Sequence, residues 1–179
     1  MISEQARRGM ETIFINAARK NLVLAPADVC EIAPLVPGRA QGNREKDLLL
    51  LTISTFSFRL LTILQAGEHA LTREYYLKGA SGRAFGEVFA EVGNLCCGSM
   101  NRELTRHFPH LGMSVPYFLD SRCIPFLDEF KPEYLSSCAI NINGSARLQA
   151  TLCICAYAPV DFAVGAQAQE ETTGELELF

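Results

Sequence analysis

Residues 135–156 read LSSCAININGSARLQATLCICA, and this stretch indicates a β-hairpin. The dipeptide Asn143-Gly144 favours the short turn whose twist matches that of the flanking strands. In the arm after the turn, from Ala146 to Ala156, small and aliphatic residues alternate with polar residues and cysteines. This alternation predicts a half-buried strand with one face toward a layer of helices.

Three further segments are candidate strands. Residues 48–53 and 60–64 are rich in aliphatic and β-branched side chains, which is typical of strands. Residues 113–119 include Pro116, which has no amide hydrogen to donate to a neighbouring strand. We therefore expect this segment at an edge of the sheet.

Helical patterns occur before and between these strands. Ser3 is a suitable N-cap for a helix that runs to Asn21. Residues 68–77 predict a short helix that stops near Gly79, and residues 82–106 predict a long one. Residues 79–82, Gly-Ala-Ser-Gly, are interpreted as a flexible joint before the long helix.

The remaining segments define the expected domain organisation. Residues 25–47 contain several prolines and glycines, which predict a loop with a short strand at residues 29–32. We expect residues 1–165 to form a single domain, since 179 residues suffice for one ordinary core. Residues 166–179 are polar and acidic and are predicted to be a disordered tail.

Composition excludes several classes of function. The formal net charge is −4, so no general basic field attracts nucleic acid or anionic lipid. Charged residues interrupt the first 22 positions, and no apolar run is long enough to cross a bilayer, so we expect a soluble cytoplasmic protein with no membrane partner. The seven cysteines form no CxxC pair, and the three histidines lack zinc-like spacing. We therefore predict no metal site on this chain.

The long helix has two different sides at about 100° per residue. The predicted core stripe contains Phe85, Val88, Phe89, Val92, Leu95, Cys96 and Ser99. The opposite stripe is polar or glycine throughout and contains Glu87, Glu91, Asn94, Gly98, Asn101 and Thr105.

Several choices on the polar stripe are unfavourable for a plain solvated helix. Glu87 and Glu91 carry like charges one turn apart, and Gly98 costs about 1 kcal/mol relative to alanine within a helix. Asn94 is a middling helix former with no cap to serve. Docking of another molecule explains all of them: Glu91 would receive a cation, Asn94 would hold a water or a backbone group, and Gly98 would permit close approach. The alternative is an ordinary solvated face.

The segment Glu91-Val92-Gly93-Asn94-Leu95, followed by Gly98, resembles the E-[IV]-G-N-[MIL]-x-x-G signature of the CheX and CheC chemotaxis phosphatases. The resemblance covers residues 48–162, with a leading helix in the expected place. The signature occurs once, as in CheX. Residues 55–58, Thr-Phe-Ser-Phe, depart from the glycine-rich turn common in the family.

The resemblance implies both a fold and an activity. The fold is α+β, with an antiparallel sheet and long helices packed on one face. The activity is hydrolysis of the aspartyl phosphate of a CheY-like response regulator. Asn94 matches the residue that orients the attacking water, and Glu91 matches the acid that engages the regulator's lysine. Glu87, Gly98 and Asn101 are then expected to contact the partner.

The same resemblance implies that no cofactor binds this chain, because the regulator carries the Mg²⁺ and the phosphorylated aspartate. It also implies a homodimer, for which strand contacts in residues 48–64 are a candidate.

Alternatives remain open at this point. A catalytically inactive adaptor on the same scaffold would bind a receiver domain or a flagellar switch component. A redox sensor would require a thiol of low pKa at Cys96 or Cys97. Two roles are open for the cationic residues late in the long helix, Arg102, Arg106 and His107. They either interact favourably with the helix dipole or contact phosphate.

Overall fold

The computed structural model describes residues 1–35, 47–66 and 69–165. The helices in these ranges are α1 (Glu4–Asn21), α2 (Ala70–Leu77), α3 (Phe85–Leu104) and a 3₁₀ helix (Ser121–Phe130). The strands are β1 (Cys30–Pro34), β2 (Asp47–Ser54), β3 (Phe58–Ala66), β4 (Gly112–Met113), β5 (Tyr117–Asp120), β6 (Tyr134–Ile142) and β7 (Ala146–Ala156).

The strands form one antiparallel sheet in the order β1-β6-β7-β3-β2, and both β4 and β5 pair with the outer edge of β2. Helices α1 and α3 pack against each other and cover one face of this sheet. The predicted α+β class, with long helices on one face of an antiparallel sheet, is therefore confirmed. The predicted acidic tail, residues 166–179, lies outside the described residues, as do residues 36–46 of the predicted loop at residues 25–47.

The predicted hairpin is confirmed at its turn. Asn143 and Gly144 have φ angles of 53° and 68°, and the amide of Ser145 donates a 3.1 Å hydrogen bond to the carbonyl oxygen of Ile142. Positive φ at both central residues defines the type of turn whose twist matches that of the flanking strands. The register that results pairs Ile142 with Ala146.

The aliphatic face of β7 lies in the main core, as predicted. Leu148, Leu152 and Ile154 are buried there together with Phe14 of α1 and Met100 of α3. Ser3 caps α1 by accepting a 3.0 Å hydrogen bond from the amide of Ala6.

The other face of β7 is more buried than the alternation predicted. Cys153 and Cys155 are buried and pack with Leu61 of β3 in a second, smaller cluster. A third cluster is formed where Leu127 of the 3₁₀ helix packs against β2 and β3. The sequence pattern did not predict this 3₁₀ helix, so the covering of that face was missed.

The predicted edge strand at residues 113–119 consists of two short strands. β4 and β5 are separated at Ser114, whose hydroxyl accepts a 3.0 Å hydrogen bond from the amide of Thr52. Pro116 lies in the gap between the two strands, where no ladder donor is needed. The edge position itself is confirmed.

The expectation that residues 48–64 offer strand contacts to a second copy is wrong. β2 has β3 on one side and β4 and β5 on the other. β3 lies between β2 and β7. Both strands are internal, so their backbone groups are already paired within the chain.

Candidate functional site

Helix α3 is held by an apolar side that fixes its rotation about its own axis. Val88, Phe89, Val92, Cys96 and Met100 are buried against the sheet and α1. The opposite side of the helix consequently faces outward as a definite surface.

Gly93 explains how closely α3 approaches the sheet. A Cβ atom at this position would lie 2.5 Å from Cδ2 of Leu49 and 3.4 Å from Cδ1 of both Leu51 and Leu64. Any side chain would therefore require either the buried Leu49 or the helix to shift. The glycine between Glu91 and Asn94 thus has a packing role.

The outward surface of α3 carries all five residues that the sequence analysis assigned to the site. Glu87 and Glu91 are exposed, and the remaining three are half-buried: Asn94, Gly98 and Asn101. Glu91 and Asn94 are three residues apart and therefore project from neighbouring positions on the same side. We call these five residues the polar face of α3.

Leu95 also belongs to this surface, which corrects the predicted core stripe. Its side chain is 54% exposed, whereas Gly93 and Cys97 are buried in its place. The close contact at Gly93 rotates the buried side toward Gly93 and Cys97 and leaves Leu95 outside. Its position one turn after Glu91 was the available signal, because i,i+4 residues are neighbours on a helix.

The carboxylate of Glu91 forms an ion pair in the free chain. Nη2 of Arg83 lies 2.8 Å from Oε2 of Glu91, and the side chains are 46% and 56% exposed. Arg83 immediately precedes the N-cap residue of α3, Ala84. Arg83 was not among the predicted site residues, since no local pattern links it to a residue eight positions later.

The side-chain amide of Asn94 is unengaged among the described residues. No described residue makes a hydrogen bond with its side chain, and the residue is half-buried at the surface. An amide in this state can donate a hydrogen bond and accept one from a bound water.

Asn101 lies two turns further along the same face. Its Oδ1 atom is buried and has no hydrogen-bond partner among the described residues. A buried acceptor without a partner is unusual in folded proteins. Gly98, between the two asparagines, has no packing neighbour: a Cβ there would find none of the described atoms within 4 Å outside the helix's own backbone.

A groove of about 550 Å³ runs beside Glu91. It lies between the end of α1, the segment 78–84 and α3, and its lining includes Leu24, Tyr76, Lys78, Arg83 and Leu95. Residues 79–82, predicted as a joint, lie within this segment, and their glycines Gly79 and Gly82 have φ angles of 81° and 79°. Both are left-handed conformations that glycine adopts without strain.

The redox hypothesis is contradicted at both cysteines. Burial raises the pKa of the Cys97 thiol to about 12, and burial raises that of Cys96 further still. Thiols of raised pKa and no exposure are poor nucleophiles. They act as small core side chains.

In the described ranges, no group of three or more His, Cys, Asp or Glu side chains is placed to hold a metal ion. None of the helices in those ranges combines the length and apolar character needed to cross a bilayer.

Solved structures with the same arrangement of helices and strands are chemotaxis proteins. The chemotaxis protein CheX from Vibrio vulnificus superposes with a TM-score of 0.59 at 13% identity, over 83% of this chain and 98% of that one. The chain has the CheX fold. A CheC-like superfamily protein from Shewanella sp. PV-4 superposes with a TM-score of 0.50 at 8% identity, over 85% of this chain and 98% of that one.

A further CheX-fold structure is the CheX-CheY-BeF3-Mg+2 complex from Borrelia burgdorferi. It superposes with a TM-score of 0.56 at 10% identity, over 83% of this chain and 96% of that one. No protein-family model and no curated protein matches the sequence. The resemblance predicted from the sequence is therefore confirmed at the level of the CheX fold.

Proposed function

We propose that this chain is a phosphatase that hydrolyses the aspartyl phosphate of a CheY-like receiver domain in chemotaxis or a related two-component circuit. One observation carries the proposal. The amide of Asn94, which no described residue hydrogen-bonds, lies one helical turn from the exposed carboxylate of Glu91, on the outward side of a helix whose other side is buried. The proposed substrate places the protein in the cytoplasm.

The chemistry requires little of this chain beyond placement. Asn94 would orient a water in line with the phosphorus; the water oxygen forms the new P–O bond while the bond to the aspartate breaks. The products are inorganic phosphate and a free aspartate carboxylate. Phosphoryl transfer depends mainly on positioning and electrostatics, and an amide positions water without ionising. The receiver would supply the Mg²⁺ and the phosphorylated aspartate, so no cofactor is assigned here.

Glu91 would bind the receiver's active-site lysine, with which it makes a charge-assisted pair. Glu87, Gly98 and Asn101 extend the contact along α3. At Gly98 the open space beyond the backbone suits a partner that approaches closely. The Borrelia burgdorferi CheX-fold protein was solved with CheY, BeF3 and Mg+2, and this supports a receiver domain as the partner.

A decay assay tests the proposal. CheY-type receivers from the same genome are phosphorylated and mixed with the native chain or with Asn94→Ala. We expect the native chain to accelerate decay and Asn94→Ala to lose about 10²-fold or more of that acceleration, as when a group positioning the reacting atoms is removed. A free energy of unfolding equal to that of the native chain would show that the variant is correctly folded. An equal rate with Asn94→Ala would overturn the role of Asn94.

Glu91→Gln extends the assay to docking. We expect it to weaken binding of a beryllofluoride-loaded receiver, whereas Glu103→Gln, on the same helix but paired with Arg106, should not. The exposed Leu95 and the neighbouring groove would equally serve an adaptor without turnover. Tight binding with unchanged decay of the phosphoryl group would favour that alternative.

Homodimerisation through a sheet edge is part of the proposal, with β5 as the edge. Its four residues are exposed, and Tyr117, Phe118 and Leu119 are apolar. An exposed apolar edge strand is a template for pairing. Light scattering should give a dimer mass for the native chain and a monomer mass for Leu119→Lys. A native chain that is monomeric at micromolar concentration would contradict this assignment.

A further inference from the structure

The ion pair between Arg83 and Glu91 occupies the carboxylate that the proposed function assigns to the partner's cation. Among the described residues, Arg83 is the one that hydrogen-bonds Glu91, through Oε2. Oε1 makes no hydrogen bond with a described residue. A docking partner therefore meets a carboxylate that is already partly neutralised.

The position of Arg83 is not explained by the stability of α3. It precedes the helix, where the dipole disfavours a cation, and the N-cap Ala84 makes no side-chain hydrogen bond. The backbone nevertheless fixes its place. The amide of Ala80 donates to Leu77, and that of Arg83 donates to Ala80 at 3.2 Å. The segment thus presents Arg83 toward Glu91.

We propose that Arg83 competes with the partner's cation for Glu91 and thereby sets the affinity and specificity of docking. In the free chain the guanidinium holds Glu91; on docking, the partner's ammonium takes its place. The inference rests on the proposed function. It adds a requirement: a partner must supply a cation to engage Glu91, because otherwise the internal pair persists.

The exposure of the pair makes this exchange easy. Ion pairs between half-exposed side chains are screened by solvent and contribute little to stability. Displacement of Arg83 should therefore cost the partner about twofold to fivefold in affinity. Lys78, in the same groove, contributes a further positive charge nearby.

The first arm of the test uses the free chain. Side-chain ¹⁵N relaxation of the Arg83 guanidinium is compared in the native protein and in Glu91→Gln. We expect Arg83 to be more restricted in the native chain. Equal mobility in both would show that the pair does not form in solution and would overturn the inference without reference to any partner.

The second arm measures binding of beryllofluoride- and Mg²⁺-loaded CheY-type receivers. We expect Arg83→Gln to bind about twofold to fivefold more tightly than the native chain. Arg83→Lys keeps the positive charge and should bind with the affinity of the native chain. In the Glu91→Gln background, Arg83→Gln should bring no gain. Arg59→Gln removes the same charge on the sheet face opposite α3, beside Cys155, and should leave the Kd unchanged.

The outcomes separate the two claims. Unchanged or weaker binding by Arg83→Gln, while the native chain binds, would overturn the role of Arg83 and leave the proposed function standing. If Arg83→Gln and Arg59→Gln increase the affinity for the receiver equally, the increase reflects only the change in net charge. That result would also overturn the role of Arg83. If neither the native chain nor any variant binds a receiver, the proposed function fails, and this inference fails with it.

Discussion

The hydroxyl of Tyr75 in α2 donates a 2.6 Å hydrogen bond to Oδ2 of Asp28, in the loop between α1 and β1. Oδ1 of the same carboxylate accepts a 2.7 Å bond from Nδ2 of Asn143 at the hairpin turn. Tyr75 also accepts a 2.7 Å bond from the amide of Leu24, a residue that lines the groove beside Glu91. Asp28 thus ties three separate chain segments together next to the candidate site.

These bonds predict a specific acid sensitivity. Hydrogen bonds to its carboxylate lower the pKa of Asp28 from 3.8 to about 2, and the bond from Tyr75 has the largest effect, with that from Asn143 second. A lowered folded-state pKa means that the contribution to stability is present above pH 3.8 and is lost as the pH falls toward 2. We expect the native chain to be more stable than Asp28→Asn at pH 6, and the difference to shrink between about pH 4 and pH 2.

Urea unfolding of both proteins across this pH range is the measurement. Tyr75→Phe serves as a control, since it removes the hydrogen bond that lowers the pKa of Asp28 most but keeps the ring in contact with Tyr76. Its acid profile should lie between those of the other two proteins. A difference between native and Asp28→Asn that is independent of pH would contradict the assignment.

Gly93→Ala should destabilise the fold. The added methyl would lie 2.5 Å from Cδ2 of Leu49, and overpacking of this kind costs about 1–3 kcal/mol in the free energy of unfolding. Denaturant titration measures this change. A variant as stable as the native chain would show that α3 approaches β2 less closely than described.

Gly98→Ala is the matched substitution on the opposite side of the same helix. Because the methyl would point into open space, helix propensity alone should raise the free energy of unfolding by about 1 kcal/mol. Receiver binding and phosphoryl hydrolysis should nevertheless fall, since the partner must approach the backbone there. If the more stable variant hydrolyses the phosphoryl group at the native rate, Gly98 has no part in docking.

Leu95→Ala should weaken receiver binding while leaving the fold intact. Truncation of an interface anchor costs more than about 1 kcal/mol, or roughly fivefold in Kd. The change in unfolding free energy should stay within about 0.5 kcal/mol, as for other surface positions. Leu71→Ala is the control, because Leu71 in α2 has the same 54% exposure but lies off α3. Equal Kd values for the two variants would show that Leu95 does not contribute to receiver binding.

The strongest local signals predicted the elements well. The Asn143-Gly144 turn and the Ser3 cap depend on neighbours a few residues away, and both are confirmed. The alternation in β7 predicted its aliphatic core face correctly, but the opposite face is also buried. The 3₁₀ helix at Ser121–Phe130 was missed because Pro125 and its mixed composition match neither helical nor strand periodicity. Its role becomes visible only where Leu127 meets Leu48 and Ile63.

The sequence by itself determined that Glu91 and Asn94 share a side of α3, because helical periodicity depends only on spacing along the chain. Only the tertiary structure decided how that helix is rotated against the sheet, which buries Gly93 and exposes Leu95, and that Arg83 reaches Glu91. The rotation depends on how α3 packs at Gly93, and the ion pair depends on where the segment before the helix places Arg83. The sequence offers a signal for Leu95, its spacing from Glu91, but none for Arg83.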